Sequence, residues 1–295
     1  MSNDTETKNS QDTSNKVSSM DEHRVAQVSD DLATDKLSLP FDEHVEEVSE
    51  NGRKVRRRGV YLLPNLFTTG ALFSGFYAII SGMHGNFENA AIAIFVAMVL
   101  DGLDGRVARL TNTSSAFGVE YDSLSDMVSF GLAPSLVMFS WALSPLGKFG
   151  WAVAFAYAAC AGLRLARFNT QVGVVDKRYF IGLASPSAAA LVAGTVWVGE
   201  GIEPGTQLSI LCAFITLAAG LLMVSNIKYH SFKGIDFKGR VPFVVILAVV
   251  ILFVIIASNP SVVLLCMAAI YASSGPVQWA WRRITIKDKP DSGAQ

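Results

Sequence analysis

Charged residues are scarce in most of this sequence. They make up 17% of the 295 residues, 51% of the residues are hydrophobic, and the mean hydropathy is +0.38. A soluble globular domain carries about 25% charged residues, so the scarcity argues against a soluble enzyme. The formal net charge of −1 indicates no particular class of partner, and we do not expect a nucleic acid to be one.

Cysteine and histidine are too few and too scattered to form a metal site. The three cysteines, Cys160, Cys212 and Cys266, lie far apart in long apolar runs and lack the spacing of zinc ligands. The four histidines form no cluster along the sequence either. The cysteines are therefore interpreted as small apolar residues of the core.

Apolar side chains are in turn scarce in residues 1–52. This segment carries 13 of the 25 acidic residues and 4 of the 24 basic ones, a net charge of −9. It cannot bury enough apolar surface to offset the entropy lost on ordering, and it lacks the apolar run of a signal peptide. We therefore predict a disordered acidic cytoplasmic tail at 1–52, followed by a basic juxtamembrane segment at 53–59.

Long apolar runs fill the sequence between residues 60 and 281. Each of the runs has the length of about 20 residues that a transmembrane helix needs. They lie near residues 60–83, 88–111, 118–142, 147–170, 181–199, 206–228, 240–258 and 260–281. The sequence therefore predicts an all-α polytopic membrane protein with about eight transmembrane helices and a short basic tail at 282–295.

The loops between these runs differ in basic charge. Loops on one side, with the segments that flank the first and last runs, hold 19 Lys and Arg residues, whereas the loops on the other side hold only Lys148. Because cytoplasmic loops are enriched in Lys and Arg, we expect both termini to be cytoplasmic.

Four aspartates lie where the second and third runs meet. Asp101 and Asp104 are three residues apart at the end of the second run, and Asp122 and Asp126 are four apart at the start of the third. Either spacing places both residues on one face of a helix. Two helices joined by a short loop lie antiparallel, so we expect the four carboxylates to converge on one point.

Small residues accompany these aspartates. Ala108 shares the helix face of Asp101 and Asp104, and Gly105 and Gly118 have no side chains. Small residues let helices in a membrane pack closely. We therefore expect Ala108 and Gly118 to be helix-packing residues, and Gly105 to let the two backbones approach each other.

A cluster of acids beside lipid needs compensation. Each acidic side chain at membrane depth costs roughly 2.5–3.5 kcal/mol, and only Arg106 and Arg109 lie close in sequence. Carboxylates are the ligands that Mg²⁺, Mn²⁺ and Ca²⁺ prefer, and four of them suit a two-metal site for phosphoryl transfer. An ion or proton transporter is the non-enzyme alternative, because intramembrane acids also mark such pathways.

The spacing of these residues resembles a known family signature. The run Asp101-x-x-Asp104-Gly105-x-x-Ala108-Arg109, eight further residues, and Gly118-x-x-x-Asp122-x-x-x-Asp126 is similar to the motif of the CDP-alcohol phosphatidyltransferase family. The resemblance implies a six-helix core over 60–230, with 231–281 as two additional helices. It also implies a divalent cofactor, Mg²⁺ or Mn²⁺ with two ions per site, a bacterial inner-membrane location and a homodimer.

The same resemblance implies roles for individual residues. The first three aspartates would hold metal, and Asp126 would both ligate metal and act as the catalytic base. The residues implied to bind the CDP-lipid are Asn65, Thr68, Gly105, Arg109 and Ser115. Ser115 stands where some relatives have threonine, which keeps the hydroxyl.

Segments that follow the aspartates in the sequence indicate which alcohol accepts the phosphatidyl group. The ends of the fourth and sixth runs and the loop before the fifth resemble those of membrane-embedded bacterial members that use serine, apart from Ala184 where proline is expected. This implies transfer of the phosphatidyl group from CDP-diacylglycerol to L-serine, giving phosphatidylserine and CMP. The acceptor-binding candidates are Arg164, Arg167, Ser185, Ser225 and Lys228. The two arginines lie on one helix face and suit the carboxylate of serine.

Other readings stay open at this point. Glycerol 3-phosphate, inositol phosphate or choline are alternative acceptors within the same reaction class, and the phosphorylated ones would need a denser basic pocket. Intramembrane prenyltransferases also use aspartate-rich, magnesium-binding helices, but the Gly and Ala-Arg positions fit them poorly.

Overall fold

The chain falls into two compact units, Met1–Gly59 and Val60–Gln295, in the computed structural model. The structure describes residues 45–50, 53–58, 62–111, 116–171, 179–230 and 243–287. Each unit is considered separately.

The first unit contains an antiparallel hairpin. Strand β1 (Val45–Glu50) pairs with β2 (Arg53–Arg58), with Glu46 opposite Arg57 and Glu50 opposite Arg53. The register sets an acidic strand against a basic one, and residues of opposite charge in cross-strand positions favour such a pairing. Residues 45–50 of the predicted acidic tail thus form a strand, and the rest of that tail lies outside the described residues.

The described part of the second unit contains eight helices and two short strands. These elements are α1 (Leu62–Met83), α2 (Phe87–Thr111), α3 (116–146), α4 (Lys148–Gln171), β3 (Tyr179–Ile181), α5 (Ser185–Val198), α6 (Thr206–Val224), β4 (Lys228–His230), α7 (Phe243–Ser258) and α8 (Pro260–Lys287). Helix α3 is a succession of Ala116–Asp126, a π turn at Met127–Leu132, Ala133–Met138, a second π turn at Phe139–Leu143 and a 3₁₀ turn at Ser144–Leu146.

The predicted all-α polytopic membrane fold is confirmed for the described part of the chain. The helical stretches long and apolar enough to cross a membrane are Pro64–Met83, Phe117–Leu146, Lys148–Thr170, Thr206–Val224 and Pro260–Trp281. Helix α5 and residues Leu247–Ser258 of α7 are shorter apolar helices. Helix α2 is 25 residues long but carries the acidic residues Glu88, Asp101 and Asp104.

Two predicted helix ends are strands instead. The run predicted to begin at residue 181 starts as a helix at Ser185, and the run predicted to end at 228 leaves its helix at Val224, because β3 and β4 pair there. The turn after β3 uses Gly182, whose φ of +83° favours glycine. Its N–H donates to the Ile227 carbonyl oxygen at 2.8 Å. This sheet fixes the start of α5 against the end of α6.

Small residues let the helices approach each other closely. Alanines are frequent in the buried core, among them Ala71, Ala78, Ala90, Ala91, Ala93 and Ala97. Where α1 crosses α3, a Cβ built on Gly75 would lie 2.7 Å from the Cα of Ser129, so only glycine fits. Close backbone contact through small residues is typical of helix association in membranes. Helix α1 is thereby packed against both α2 and α3.

A proline in α3 is compensated by a tyrosine from α4. Pro134 follows the first π turn and has no N–H to donate to the carbonyl oxygen of Phe130, four residues earlier. The hydroxyl of Tyr157 donates to that oxygen at 3.1 Å instead. Both Phe130 and Tyr157 are fully buried, so the bond satisfies a carbonyl that water cannot reach.

The same arrangement recurs in α8. Pro276 lies inside the helix and cannot donate to the carbonyl oxygen of Ala272. The hydroxyl of Tyr229 donates to it at 3.0 Å, and the ring lies against Gly275. Burial and the nearby Tyr271 raise the pKa of Tyr229 to about 12, so its hydroxyl stays a neutral donor. Strand β4 is thereby tied to α8.

Removing the tyrosine hydroxyl tests this account. Tyr157→Phe is expected to lower the free energy of unfolding by about 1–3 kcal/mol, because a buried acceptor loses its donor. Pro134→Ala supplies an N–H four residues after Phe130, so Tyr157→Phe should cost clearly less in that background. Chemical denaturation in detergent micelles measures both costs. Equal costs in the two backgrounds would contradict the compensation.

Candidate active site

Three of the four motif aspartates converge where α2 meets α3. Asp101 on α2 and Asp122 and Asp126 on α3 each offer a carboxylate oxygen, and these oxygens all lie within 4.8 Å of one another. The spacing of four residues places Asp122 and Asp126 on one face of α3. Both helices therefore contribute ligand atoms to a single point.

Asp104 is not part of this group, contrary to the expected convergence of all four. It is buried, and its Oδ2 accepts a hydrogen bond from the hydroxyl of Thr68 on α1 at 2.8 Å. Residues three apart on a helix point in directions about 60° apart, so Asp104 turns toward α1 while Asp101 reaches α3. The carboxyl group of Asp122 nevertheless lies next to that of Asp104.

Two oxygens of the converging group have no hydrogen-bond donor. Oδ1 of Asp122 and Oδ1 of Asp126 are buried without a partner within the part of the chain that the structure describes. Buried polar atoms are almost always satisfied, so these acceptors call for a cation or a donor from outside the chain. Three converging carboxylates fit a divalent ion, which takes oxygen ligands. Asp101, Asp122 and Asp126 therefore suit the predicted metal.

A cavity of about 290 Å³ opens beside these aspartates. Its lining comes from α1, α2 and α3: Pro64, Asn65, Thr68, Asp104, Gly105, Ala108, Arg109, Gly118, Val119 and Asp122. A Cβ built on Gly105 would meet no described atom within 4 Å. The prediction that Gly105 brings the two backbones together is therefore wrong, since its missing side chain leaves room in the cavity instead. Ala108 and Gly118, predicted as packing residues, also line this cavity.

Several predicted CDP-lipid contacts lie in this cavity. Asn65 has a buried amide nitrogen, Nδ2, with no partner among the described residues. Arg109 is exposed, and its Nε donates to the carbonyl oxygen of Gly105 at 2.9 Å, which holds the guanidinium along α2. Thr68 lines the cavity but gives its hydroxyl to Asp104. Ser115 lies outside the described residues.

Arg164 connects the aspartates to the start of α5. From α4, its Nη1 donates to the hydroxyl of Ser185, the first residue of α5. Arg164 is half-buried and lies close enough to Asp126 for their opposite charges to interact, and Tyr271 of α8 lies near it. Two of the predicted acceptor residues are thus hydrogen-bonded to each other, and one of them, Arg164, lies next to Asp126.

The other acceptor candidates have different surroundings. Nη2 of Arg167 donates to Oδ1 of Asn226 at 2.7 Å, which ties α4 to the segment after α6. The hydroxyl of Ser225 donates to the Leu222 carbonyl oxygen at 2.8 Å, so it satisfies the end of its own helix. Lys228 is the first residue of β4.

Residues 61–224, which include helices α1 to α6, match the family described as CDP-alcohol phosphatidyltransferase. The chain belongs to this family. Helices α7 and α8 lie beyond the matched residues.

Several members of the CDP-alcohol phosphatidyltransferase family resemble the chain over most of their own length. A Helicobacter pylori protein is 36% identical over 229 residues, which cover 77% of this chain and 94% of that protein. A Bacillus subtilis protein is 37% identical over 171 residues, covering 58% and 91%, and one from Methanocaldococcus jannaschii is 34% identical over 201 residues, covering 68% and 89%. All three are named CDP-diacylglycerol–serine O-phosphatidyltransferase.

A solved structure is also similar to the chain. It is Mycobacterium tuberculosis phosphatidylinositol phosphate synthase with CDP-DAG bound, at 20% sequence identity and a TM-score of 0.41. The match covers 56% of this chain and 82% of that one.

The CDP-alcohol phosphatidyltransferase family uses divalent metals. In this chain, the residues that could hold such a metal are the converging Asp101, Asp122 and Asp126. Three of the four motif carboxylates therefore converge, and the fourth, Asp104, lies next to Asp122.

Sequence reasoning missed two hydrogen bonds beside Asp122. Asn169 on α4 donates to the hydroxyl of Ser123 at 3.0 Å, and the hydroxyls of Thr69 and Tyr121 lie 2.9 Å apart. Each bond joins α3 to a helix distant in sequence. Residue spacing within one helix carries no signal of such contacts.

Proposed function

We propose that this protein transfers the phosphatidyl group of CDP-diacylglycerol to the hydroxyl oxygen of L-serine, giving phosphatidylserine and CMP. The observation that carries the reaction class is the convergence of three motif carboxylates beside a cavity. The choice of serine is supported by relatives of 34–37% identity that are named for it. The position of Arg164 next to Asp126 also supports it.

The metal would be Mg²⁺ or Mn²⁺, with two ions per site, held by Asp101, Asp104, Asp122 and Asp126. When bound, such ions stabilise the charge that develops on the phosphoryl oxygens and lower the pKa of the acceptor hydroxyl. The unpaired buried oxygens of Asp122 and Asp126 support this assignment.

Asp126 would accept the proton of the serine hydroxyl. As the proton leaves, the hydroxyl oxygen attacks the phosphorus that carries diacylglycerol, and a new O–P bond forms. The bond from that phosphorus to the oxygen bridging the two phosphates breaks, and CMP leaves with the bridging oxygen. A carboxylate has two oxygens, so Asp126 can ligate metal through one of them and accept the proton through the other.

The cavity between α1, α2 and α3 would take the CDP moiety. Asn65 offers its unpaired Nδ2 as a hydrogen-bond donor, and the guanidinium of Arg109 suits a phosphate. Gly105 leaves the space that a side chain would occupy. The contact of Ser115 with the nucleotide phosphates stays a prediction of the family motif.

Arg164 would bind the carboxylate of serine. A guanidinium can donate two parallel hydrogen bonds to a carboxylate, and the hydroxyl of Ser185 fixes the direction of this one. Arg167 is a weaker candidate because it is the charge of Arg164 that lies next to Asp126. Roles for Ser225 and Lys228 stay predictions.

The active site would lie at the cytoplasmic face of a bacterial inner membrane, with both termini on the same side. This orientation is supported by the 19 basic residues on one side of the predicted spans against Lys148 alone on the other. A homodimer, which the family resemblance implies, stays a prediction.

A panel of acceptors tests the proposed function. Purified protein receives CDP-diacylglycerol and Mn²⁺ together with L-serine, glycerol 3-phosphate, inositol phosphate or choline in separate reactions. Serine alone is expected to give a new lipid and an equal amount of CMP. Reaction with glycerol 3-phosphate but not with serine would refute serine as the acceptor, and the proposed reaction class would still stand. Absence of CMP with every acceptor would overturn the reaction class.

The same assay can compare the two candidate arginines. Arg164→Gln is expected to raise KM for serine by about 10- to 100-fold, the loss of a charged hydrogen bond, with little change in KM for CDP-diacylglycerol. Arg167→Gln removes an equal charge from the same helix and should have a clearly smaller effect. A larger effect of Arg167→Gln would indicate that Arg167, and not Arg164, binds the carboxylate of serine.

A further inference from the structure

A buried serine lies next to the proposed catalytic base but belongs to a different contact. Ser125 precedes Asp126 on α3 and is 2% exposed. Its hydroxyl donates to the backbone carbonyl oxygen of Thr68 on α1 at 3.1 Å. The family motif specifies the aspartates on either side of Ser125 and leaves this position free.

Thr68 carries the contact onward to α2. Its hydroxyl has a single hydrogen and two acceptors in reach, Oδ2 of Asp104 at 2.8 Å and the carbonyl oxygen of Pro64 at 3.2 Å. The shorter distance and the charge of the carboxylate favour Asp104. Thr68 and Asp104 are both buried, at 3% and 6% exposure. Two consecutive hydrogen bonds between buried residues therefore join α3, α1 and α2.

We propose that Ser125 is a positioning residue that acts through Thr68 on the carboxylate of Asp104. The inference rests on the proposed function in one respect, namely that Asp104 is a metal ligand. The bond from Ser125 fixes the backbone of Thr68 relative to α3. Thr68 in turn fixes one oxygen of Asp104. The carboxylate of Asp104 is thereby held beside Asp122 before any metal arrives.

Such an arrangement matters because a metal site binds more tightly when its ligands are already oriented. Hydrogen-bond partners of metal-ligating residues typically contribute about 10- to 100-fold to metal affinity. Without the fixed hydroxyl of Thr68, Asp104 could rotate toward the open cavity, and metal binding would have to order it again. The role of Ser125 is one step further away, so its effect should be at the lower end of that range.

The chain offers a matched control for Ser125. Ser129 lies one helical turn later on α3, is also fully buried, and donates to the carbonyl oxygen of Ala71 on α1 at 3.0 Å. The two serines thus make the same kind of bond between the same helices. Ala71 has no polar side chain, so the contact of Ser129 ends at the backbone. Loss of either hydroxyl removes one interhelical hydrogen bond. Only the residue that Ser125 contacts, Thr68, is itself hydrogen-bonded to a carboxylate.

Mn²⁺ binding in the absence of substrate tests the proposal. Purified full-length protein in detergent is titrated with Mn²⁺, and free Mn²⁺ is quantified by electron paramagnetic resonance. Ser125→Ala is expected to weaken binding about tenfold, and Thr68→Val by at least as much, while Thr68→Ser keeps the hydroxyl and the affinity. Ser129→Ala should lower the thermal midpoint as much as Ser125→Ala does, with wild-type Mn²⁺ affinity. The Ser125→Ala/Thr68→Val double variant should bind no more weakly than Thr68→Val alone.

The outcomes separate this inference from the proposed function. Wild-type affinity in Ser125→Ala, equal weakening in Ser129→Ala, or additive losses in the double variant would each overturn the role of Ser125 and leave the metal site intact. Failure of the wild-type protein to bind Mn²⁺ would overturn both the metal site and this inference. If Ser125→Ala does not fold, Ser125→Cys, which has a weaker donor of similar size, takes its place and should also weaken Mn²⁺ binding; wild-type affinity in that variant would overturn the proposal.

Discussion

Asp126→Asn is expected to lower turnover by about 10³-fold or more while the protein still folds. Asparagine has nearly the shape of aspartate, but it cannot take up the proton of the acceptor hydroxyl. Loss of a general base alone costs about 10²- to 10⁴-fold in rate. Asp126 is also one of the three converging carboxylates, so the variant removes a full negative charge from the proposed metal site.

The measurement is CMP release with CDP-diacylglycerol and serine, alongside elution volume and thermal midpoint in detergent. Glu120→Gln is a suitable control, because Glu120 is an exposed acid on the same helix and lies outside the cavity lining. It removes the same charge and should keep wild-type turnover. Normal turnover in Asp126→Asn would refute its role as the base, whatever the acceptor.

The converging aspartates could be predicted because the information that specifies them is local. A spacing of four residues decides that Asp122 and Asp126 share a helix face, and a short loop makes the helix of Asp101 antiparallel to theirs. The eight helices follow in the same way from the lengths of apolar runs. Neither inference needs the position of a third element.

The bond of Asp104 to α1 was missed, and Gly105 was placed wrongly, because a third helix decides their surroundings. Asp104 binds Thr68, 36 residues earlier in the sequence, and Gly105 faces a cavity that α1 helps to line. The predicted start of α5 and the predicted end of α6 were wrong for another reason. Residues 179–181 are apolar like the run that follows them, and periodicity cannot separate a short apolar strand from helix. Lys228, Tyr229 and His230 become a strand because they pair with β3, a contact that the spacing of residues does not reveal.

The prolines show where prediction from sequence stops. Pro134 and Pro276 reveal from the sequence alone that the carbonyl oxygens four residues earlier lose their helical donors. The donors that replace them, Tyr157 and Tyr229, lie 27 and 43 residues from their acceptors. The need for a partner is local, but the identity of the partner depends on the tertiary fold.

Complete removal of divalent metal is expected to abolish activity and, in the same sample, to lower the thermal midpoint. Three ionised carboxylates whose oxygens lie within 4.8 Å repel one another, and a cation between them removes this repulsion. A metal present at about 100 times its Kd stabilises the folded state by about 2.7 kcal/mol, and chelation removes this contribution. Added Mn²⁺ or Mg²⁺ should restore both activity and stability, with activity measured as CMP release and metal content by elemental analysis.

The variant Asp122→Asn tests whether repulsion between the carboxylates causes the loss of stability on chelation. The variant removes one of the charges that repel, so the metal-free variant should unfold at a higher temperature than the metal-free wild type. It also removes a ligand, so added Mn²⁺ should raise its thermal midpoint less. If the carboxylate cluster binds no metal, added Mn²⁺ would instead change the thermal midpoint of both proteins by the same small amount. Full activity in protein shown to contain no metal would refute the metal site, and the proposed phosphoryl transfer would lose its physical basis.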